Sequence, residues 1–286
     1  MSVRAALASG ASTVCRAWVL RRRDGVTLGF TDHDGDLVVE GVVCRAATGF
    51  AAGAVEGATG LAVDNAVVSG ALSQAALASS DLRAGRWDGA TVRAFLADWS
   101  DPSVHELVFA GALGEVTETD GRFSAELRGL ADGLNVTRGR VFHRRCDAAL
   151  GDARCGVDLA NTANSATVVV LSIIDGGRGI RVGDVPMASG RLRDGTARFE
   201  TGGAVGMTAV IRSESVADGG RILTFWSPPR APLAVGGKVR LTVGCDKTMS
   251  TCRDVFANVL NFRGFPDLPG DDWVMAGPGG PGRVST

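Results

Sequence analysis

The sequence predicts a mainly β protein. An antiparallel barrel or sandwich fills the N-terminal domain (1–140), and a second, barrel-like β unit is inserted at 161–243. A small cysteine-rich domain with a C-terminal helix (141–160 plus 244–275) surrounds that insertion, and 276–286 form a disordered tail. Three observations support this. Short apolar and alternating runs recur at regular spacing between Gly-containing turns, the pattern of an all-β domain. Forty glycines beside a complete absence of tyrosine describe a turn-rich chain with a light aromatic load. Finally, two cysteine pairs flank the second β unit, so its two ends must return to one place, as the ends of inserted domains commonly do.

Thr13 to Arg22 reads as a strand, turned by Arg23-Asp24-Gly25 into Val26 to Thr31. Asp32-His33-Asp34-Gly35-Asp36 then turns into Leu37 to Glu40. This acidic turn lacks the glycine and glutamate positions of a calcium-binding EF-hand loop and reads as a solvated hairpin tip. Ser73 to Ala84 is a short helix stopped by Gly85, and Thr91 to Asp98 and Glu106 to Glu118 are strands. Asp120-Gly121 makes a hairpin to Arg122–Arg128. The second unit carries strands at Ala166–Ile174, Ala197–Thr201, Met207–Ser215, Arg221–Trp226 and Lys238–Val243. Beyond it, Cys252, Val255, Phe256, Val259 and Leu260 fall on one helical face, with Thr251 and Asp254 as a capping box and Gly264 and Pro266 as the stop.

Composition excludes several classes. Thirty basic and 31 acidic residues leave the chain near neutral, without the electrostatic footprint of a nucleic-acid binder. Apolar runs such as Val168–Ile174 are far shorter than the roughly 20 residues a membrane helix needs. No signal-peptide pattern opens the chain, which implies folding in a reducing cytoplasm where disulfides are disfavoured. No P-loop, dinucleotide fingerprint, nucleophile elbow or H-E-x-x-H motif occurs.

Of six cysteines, Cys15 and Cys44 lie in apolar stretches and read as buried core thiols. The others form the pairs Cys146/Cys155 and Cys245/Cys252, with eight and six residues inside the pairs and 89 between Cys155 and Cys245. Four soft thiolates are what an iron–sulfur cluster or a structural zinc requires, yet neither spacing matches a standard knuckle. Arg138, Arg140, Arg144, Arg145, Arg154, Lys247 and Arg253 would offset the negative charge of either centre, so charge does not choose between them. Cys252 falls in the first turn of the predicted helix, where the dipole favours a thiolate. The competing readings are unrelated cysteines on either side of a domain and a nucleophilic Cys146 activated by His143.

Residues 258–266 (Asn-Val-Leu-Asn-Phe-Arg-Gly-Phe-Pro) and 268–272 (Leu-Pro-Gly-Asp-Asp) resemble the C-terminal signature of tail hub, or tail-tip, proteins of phages and gene transfer agents. The stretch Ser80-Asp81-Leu82-Arg83-Ala84-Gly85-Arg86-Trp87-Asp88-Gly89-Ala90 and the run Trp99-Ser100-Asp101-Pro102 resemble the same family's N-terminal region. The cysteine spacings are also similar to those of the lambda tail-tip protein. What the resemblance implies is a non-enzymatic virion protein of the tail baseplate, assembled in the bacterial cytoplasm. It implies a homotrimeric ring between the distal tail protein and a central, fibre-bearing baseplate protein, through which DNA passes without sequence-specific binding. It further implies a 4Fe-4S cluster on Cys146, Cys155, Cys245 and Cys252. The long β insertion between the pairs departs from lambda's short link. Structural zinc on the same scaffold and a cysteine hydrolase of the tail tip are the alternatives.

Overall fold

A computed structural model describes residues 13–46, 50–52, 65–71, 78–119, 122–129, 139–217 and 219–269, with isolated positions at 3, 7, 132 and 134. The chain divides into two compact units, 1–138 and 139–286. Both are built from strands.

The first unit is one nine-stranded sheet rather than two sheets packed face to face. Its strands are β1 (Val14–Arg21), β2 (Thr27–Thr31), β3 (Leu37–Val39), β4 (Val42–Arg45), β5 (Phe50–Ala52), β6 (Asn65–Ala71), β7 (Thr91–Asp98), β8 (Asp101–Thr119) and β9 (Arg122–Gly129). They lie in the order β3-β4-β2-β1-β7-β8-β9-β6-β5. Pairing is antiparallel except between β2 and β4, a parallel contact that the expected all-antiparallel architecture did not include. The tight turn at Glu40-Gly41, both with positive φ, folds β4 back on β3 and makes that contact possible. The 120–121 turn and the tail beyond 269 lie outside the described residues.

Strict alternation along β1 gives the sheet two buried faces. Trp18 and Leu20 pack with Phe30, Val92, Phe109 and Leu127 on one side. Cys15, Ala17 and Val19 pack with Leu37, Val39, Cys44 and Phe95 on the other. Strands β3 and β7 stand four places apart in the sheet, about 19 Å if it were flat. Leu37, Val39 and Phe95 nevertheless share one core, so the sheet coils strongly. Helix α1 (Ser79–Arg83) is only five residues long and covers the first face with Leu82; the predicted start at Ser73 lies outside the described residues. In the acidic turn, Asp32 accepts the Arg16 N–H at 2.7 Å and Asp36 the Ala46 N–H at 2.8 Å, so these carboxylates cap backbone.

The second unit contains a closed six-stranded barrel, β10 (Ser165–Ile174), β11 (Gly179–Val182), β12 (Thr196–Phe199), β13 (Thr208–Ala217), β14 (Gly220–Phe225) and β15 (Lys238–Thr242). The order around it is β10-β11-β14-β13-β12-β15, with β15 returning to β10. Closure removes the exposed sheet edges that invite aggregation. Ile180, Leu192, Ile211, Leu223 and Leu241 fill its interior and are fully buried, each worth about 1.5–3 kcal/mol of transfer free energy. Strand β11 is not among the strands expected from sequence, because its four residues are too few to display an alternation. Ser165 at the start of β10 sits opposite Thr242 at the end of β15, and Val243 N–H donates to Asn164 O at 2.9 Å. The two chain ends therefore leave the barrel side by side, one toward Cys155 and the other toward Cys245.

Candidate functional site: a four-thiol cavity

The segments leaving the barrel carry little regular structure. Between 143 and 164 no strand or helix is assigned, and the C-terminal side holds a helix, α2 (Met249–Asp254), and a 3₁₀ turn at Val259–Asn261. The long amphipathic helix expected from Cys252 to Leu260 is not formed. Ala257 takes a left-handed φ of 49°, and Asn258 N–H donates to Cys252 O at 2.9 Å, which ends the helix. Leu260 is 92% exposed, so the predicted apolar face does not form either. The cap is Thr248, whose side chain accepts from Thr251 N–H, in place of the predicted Thr251/Asp254 box.

Backbone pairing then draws the separated segments together. Cys146 N–H donates to Lys247 O at 2.9 Å, and Phe265 N–H donates to His143 O at 3.0 Å. Phe142 meets Phe265 edge-on at 4.7 Å, and Arg144 Nε donates to Leu268 O at 2.7 Å. Two glycines permit the approach. A Cβ at Gly264 would stand 2.7 Å from Arg144 O, and one at Gly244 would stand 1.7 Å from Arg193 O.

All four predicted cysteines line one cavity of about 20 Å³, close to the volume of a single water. Its walls include Ala148, Leu150, Val157 and Phe256. Every cysteine is a free thiol. Among the described residues, no three His, Cys, Asp or Glu side chains stand in an arrangement that would hold a metal ion. The thiols are thus gathered around one point without being closed on it.

Polar contacts fix the Cys155 and Cys252 turns. Asp152 accepts the Cys155 N–H at 2.7 Å, the Arg154 N–H at 2.9 Å and the Ala149 N–H at 3.0 Å, a carboxylate knot that sets the Cys155 turn. Asn258 Nδ2 donates to Cys155 O at 2.6 Å and lies 3.8 Å from its sulfur, while Cys252 Sγ donates to Asn258 O at 3.3 Å. Lys247 Nζ donates to Ala148 O at 2.6 Å. Neither Asp152 nor the side-chain role of Asn258 was singled out from the sequence. The only signal was the Asn258 position within the motif at 258–266.

Electrostatics differ from the sequence expectation. Burial pushes the Cys252 thiol up, and the neighbouring thiols of Cys146, Cys245 and Cys155 push it further. It is the fourth residue of α2, past the first N-terminal amides, so the helix end does not lower it. Burial also raises Cys245, partly offset by hydrogen bonding from the Lys247 backbone and by the Lys247 charge. Much of the basic surround is already partnered. Arg140 and Arg154 both pair with Asp147, and Arg253 pairs with Asp254. Arg140, then Arg154, holds the Asp147 carboxyl below the usual range. No hydrogen bond joins the His143 ring to Cys146 among the described residues, so the nucleophile–base contact of a cysteine hydrolase is not made.

The family model described as "Baseplate hub protein, N-terminal attachment domain" matches residues 1–158. This chain belongs to the phage baseplate hub proteins. A second family, described as "Phage conserved hypothetical protein BR0599", matches residues 190–272 of this hub protein, a span that takes in most of the barrel and the second cysteine pair. A chain in the solved structure titled "Virion of native gene transfer agent (GTA) particle" is 40% identical over 100% of this chain and 98% of that one, with a TM-score of 0.91. No curated protein matches.

Proposed function

We propose that this hub protein is a structural component of a phage-like tail baseplate of the gene-transfer-agent kind, and that its four clustered cysteines carry a 4Fe-4S cluster. The first part rests on full-length similarity at 40% identity to a chain of a gene transfer agent virion. In the proposed assembly, three copies form a ring between the distal tail protein and the central, fibre-bearing baseplate protein. Ring closure needs broad complementary surfaces and no catalytic cleft.

The second part is carried by one observation, that the two cysteine pairs line a single cavity despite the whole barrel lying between them. The donor set fits the group in its chemistry: four soft sulfurs, apolar walls, and the Lys247 N–H and Asn258 Nδ2 directed at sulfur. Cys146, Cys155, Cys245 and Cys252 would hold the cluster, each giving up its thiol proton. When bound, such a cluster supplies a covalent tie and a one-electron couple. Lys247 would keep a positive charge beside the site, and Asn258 would hold the Cys155 and Cys252 turns in register. Zinc on the same four thiolates is the second reading, since the donor set suits it equally.

Assembly is tested by sedimentation of the purified chain alone and mixed with a distal tail protein. The hub reading expects a defined higher-order complex in the mixture. A chain that stays monomeric with every baseplate partner would overturn it.

A further inference from the structure

The barrel carries a second constellation, away from the cysteines. Strand β13 has a register irregularity against β14, where Ile211 pairs with Phe225 and Ser213 with Thr224, leaving Arg212 as the extra residue of a bulge. Bulges re-aim side chains and cluster beside binding sites. Here the bulge places the Arg212 guanidinium 5.2 Å from the centre of the Trp226 ring. The Trp226 backbone N–H donates to Val210 O at 3.0 Å, while the residue is 63% exposed. A tryptophan presented by a bulge offers a broad apolar plate on which a ligand can pack.

Trp226 and Arg212 form a ridge shared by two clefts. One, of about 380 Å³, also has Asp175 and Arg178 on its walls, and the other, of about 550 Å³, has Arg193 and Ser213. Both volumes fall in the range of small-molecule sites. Arg178 and Arg212 are not ion-paired among the described residues. In the first cleft Arg178 and Arg212 outnumber Asp175, which favours an anion there, whereas in the second Arg193 pairs with Asp194 and the lining Glu214 pairs with Arg221.

We propose that the Trp226–Arg212 ridge and its flanking clefts are a binding site for an anionic saccharide, with the sugar ring packed on Trp226 and its phosphate or carboxylate groups held by Arg178 and Arg212. The C–H face of a pyranose is apolar and slightly positive, which complements the negative face of an indole. Guanidinium groups grip carboxylate and phosphate through paired N–H donors. Two alternatives fit less well. A single-strand nucleic-acid track stacks successive bases on successive aromatics, whereas Trp226 is the only exposed large aromatic among the described barrel residues. A protein hot spot is also rich in tryptophan and arginine but sits at the centre of a closely packed patch, whereas this ridge stands between two clefts of about 380 and 550 Å³. The inference rests on the barrel alone and does not depend on a metal at the cysteines.

The test is calorimetric titration of the full chain with three probes: a phosphorylated lipopolysaccharide core oligosaccharide, an oligouronate, and a single-stranded oligonucleotide of similar charge. The wild type should bind at least one of the two saccharides. Trp226→Ala and, separately, Arg178→Ala should weaken that binding about tenfold or more, while circular dichroism and the melting temperature stay those of the folded barrel. The phosphate and carboxylate probes distinguish which anion is read. Failure to bind either saccharide, unchanged binding in both variants, or tighter binding of the oligonucleotide would overturn the proposal.

Discussion

The barrel and the cysteine-bearing loops at its base are joined by two adjacent chain segments yet are held together in opposite ways. The barrel closes every strand edge and encloses fully buried aliphatic side chains, Ile180, Ile211, Leu223 and Leu241 among them, so its stability follows from burial and ladder hydrogen bonds. The loops offer no sheet. Among their buried residues are Ala148, Cys155 and Cys252, and their order depends on turns such as the Asp152 knot and on Asn258. A segment with so small a core is the kind that a metal staple stabilises, because binding energy there is folding energy. The four thiols thus sit in loops with little apolar packing of their own.

The same contrast separates the six cysteines. Cys15 and Cys44 lie inside the N-terminal sheet, and burial pushes the Cys44 thiol up to about 11. Those two are core side chains, as the sequence indicated. The four at the loops share one cavity instead.

Breaking the proposed metal staple should have the largest effect. On the proposed reading, Cys252→Ser should lose the metal and expose 143–163 and 246–268 to hydrogen exchange, while the barrel and the N-terminal sheet keep their protection. Structural metal sites in small modules are worth on the order of 10 kcal/mol, so the loss should be local and large. Normal metal content in this variant would remove Cys252 from the ligand set. Next comes the barrel core, where Leu241→Ala should cost about 2–5 kcal/mol in denaturant unfolding of the barrel. Metal content should be retained wherever the barrel is still folded. Loss of metal from a folded variant would show that the two regions are not separable in this way.

A smaller change sharpens the loop side. Asn258→Ala removes the donor to Cys155 O and the acceptor for Asn261 Nδ2, and should cost about 1–3 kcal/mol of loop stability, read as faster exchange around Cys155. The smallest effect belongs to the N-terminal sheet. The Arg22 side chain holds the Asp24 carboxyl below its ordinary value. A depressed folded value means stability that is present above the unfolded carboxyl range, near pH 4, and lost as pH falls through the folded value. Asp24→Asn should flatten that acid limb and slightly lower stability at neutral pH. An unchanged acid limb would mean that the pair contributes nothing.

Much of this arrangement was legible in the sequence, for reasons that can be named. Two cysteine pairs on either side of a strand-rich block can meet only if the block's ends meet, and Ser165 opposite Thr242 is that meeting. Long apolar runs such as β1 and β7 are recognisable as strands from the sequence, although burial on both faces is not. The short β11 did not, nor did the parallel β2–β4 contact, because both are decided by neighbours distant in sequence. The helix bearing Cys252 is shorter than its apolar spacing predicts. Apolar spacing at three and four is equally compatible with a six-residue helix followed by a 3₁₀ turn, and the decisive left-handed Ala257 leaves no compositional mark. Asp152 and Asn258 act through contacts to backbone, which no residue pattern announces.

The most direct measurement is iron, zinc and acid-labile sulfide in the full chain purified without oxygen. A four-iron staple predicts iron and sulfide at about four each per chain. Zinc at about one per chain would keep the staple and replace the cluster. Correctly folded protein with neither metal would contradict the account, leaving the four thiols as loop packing alone.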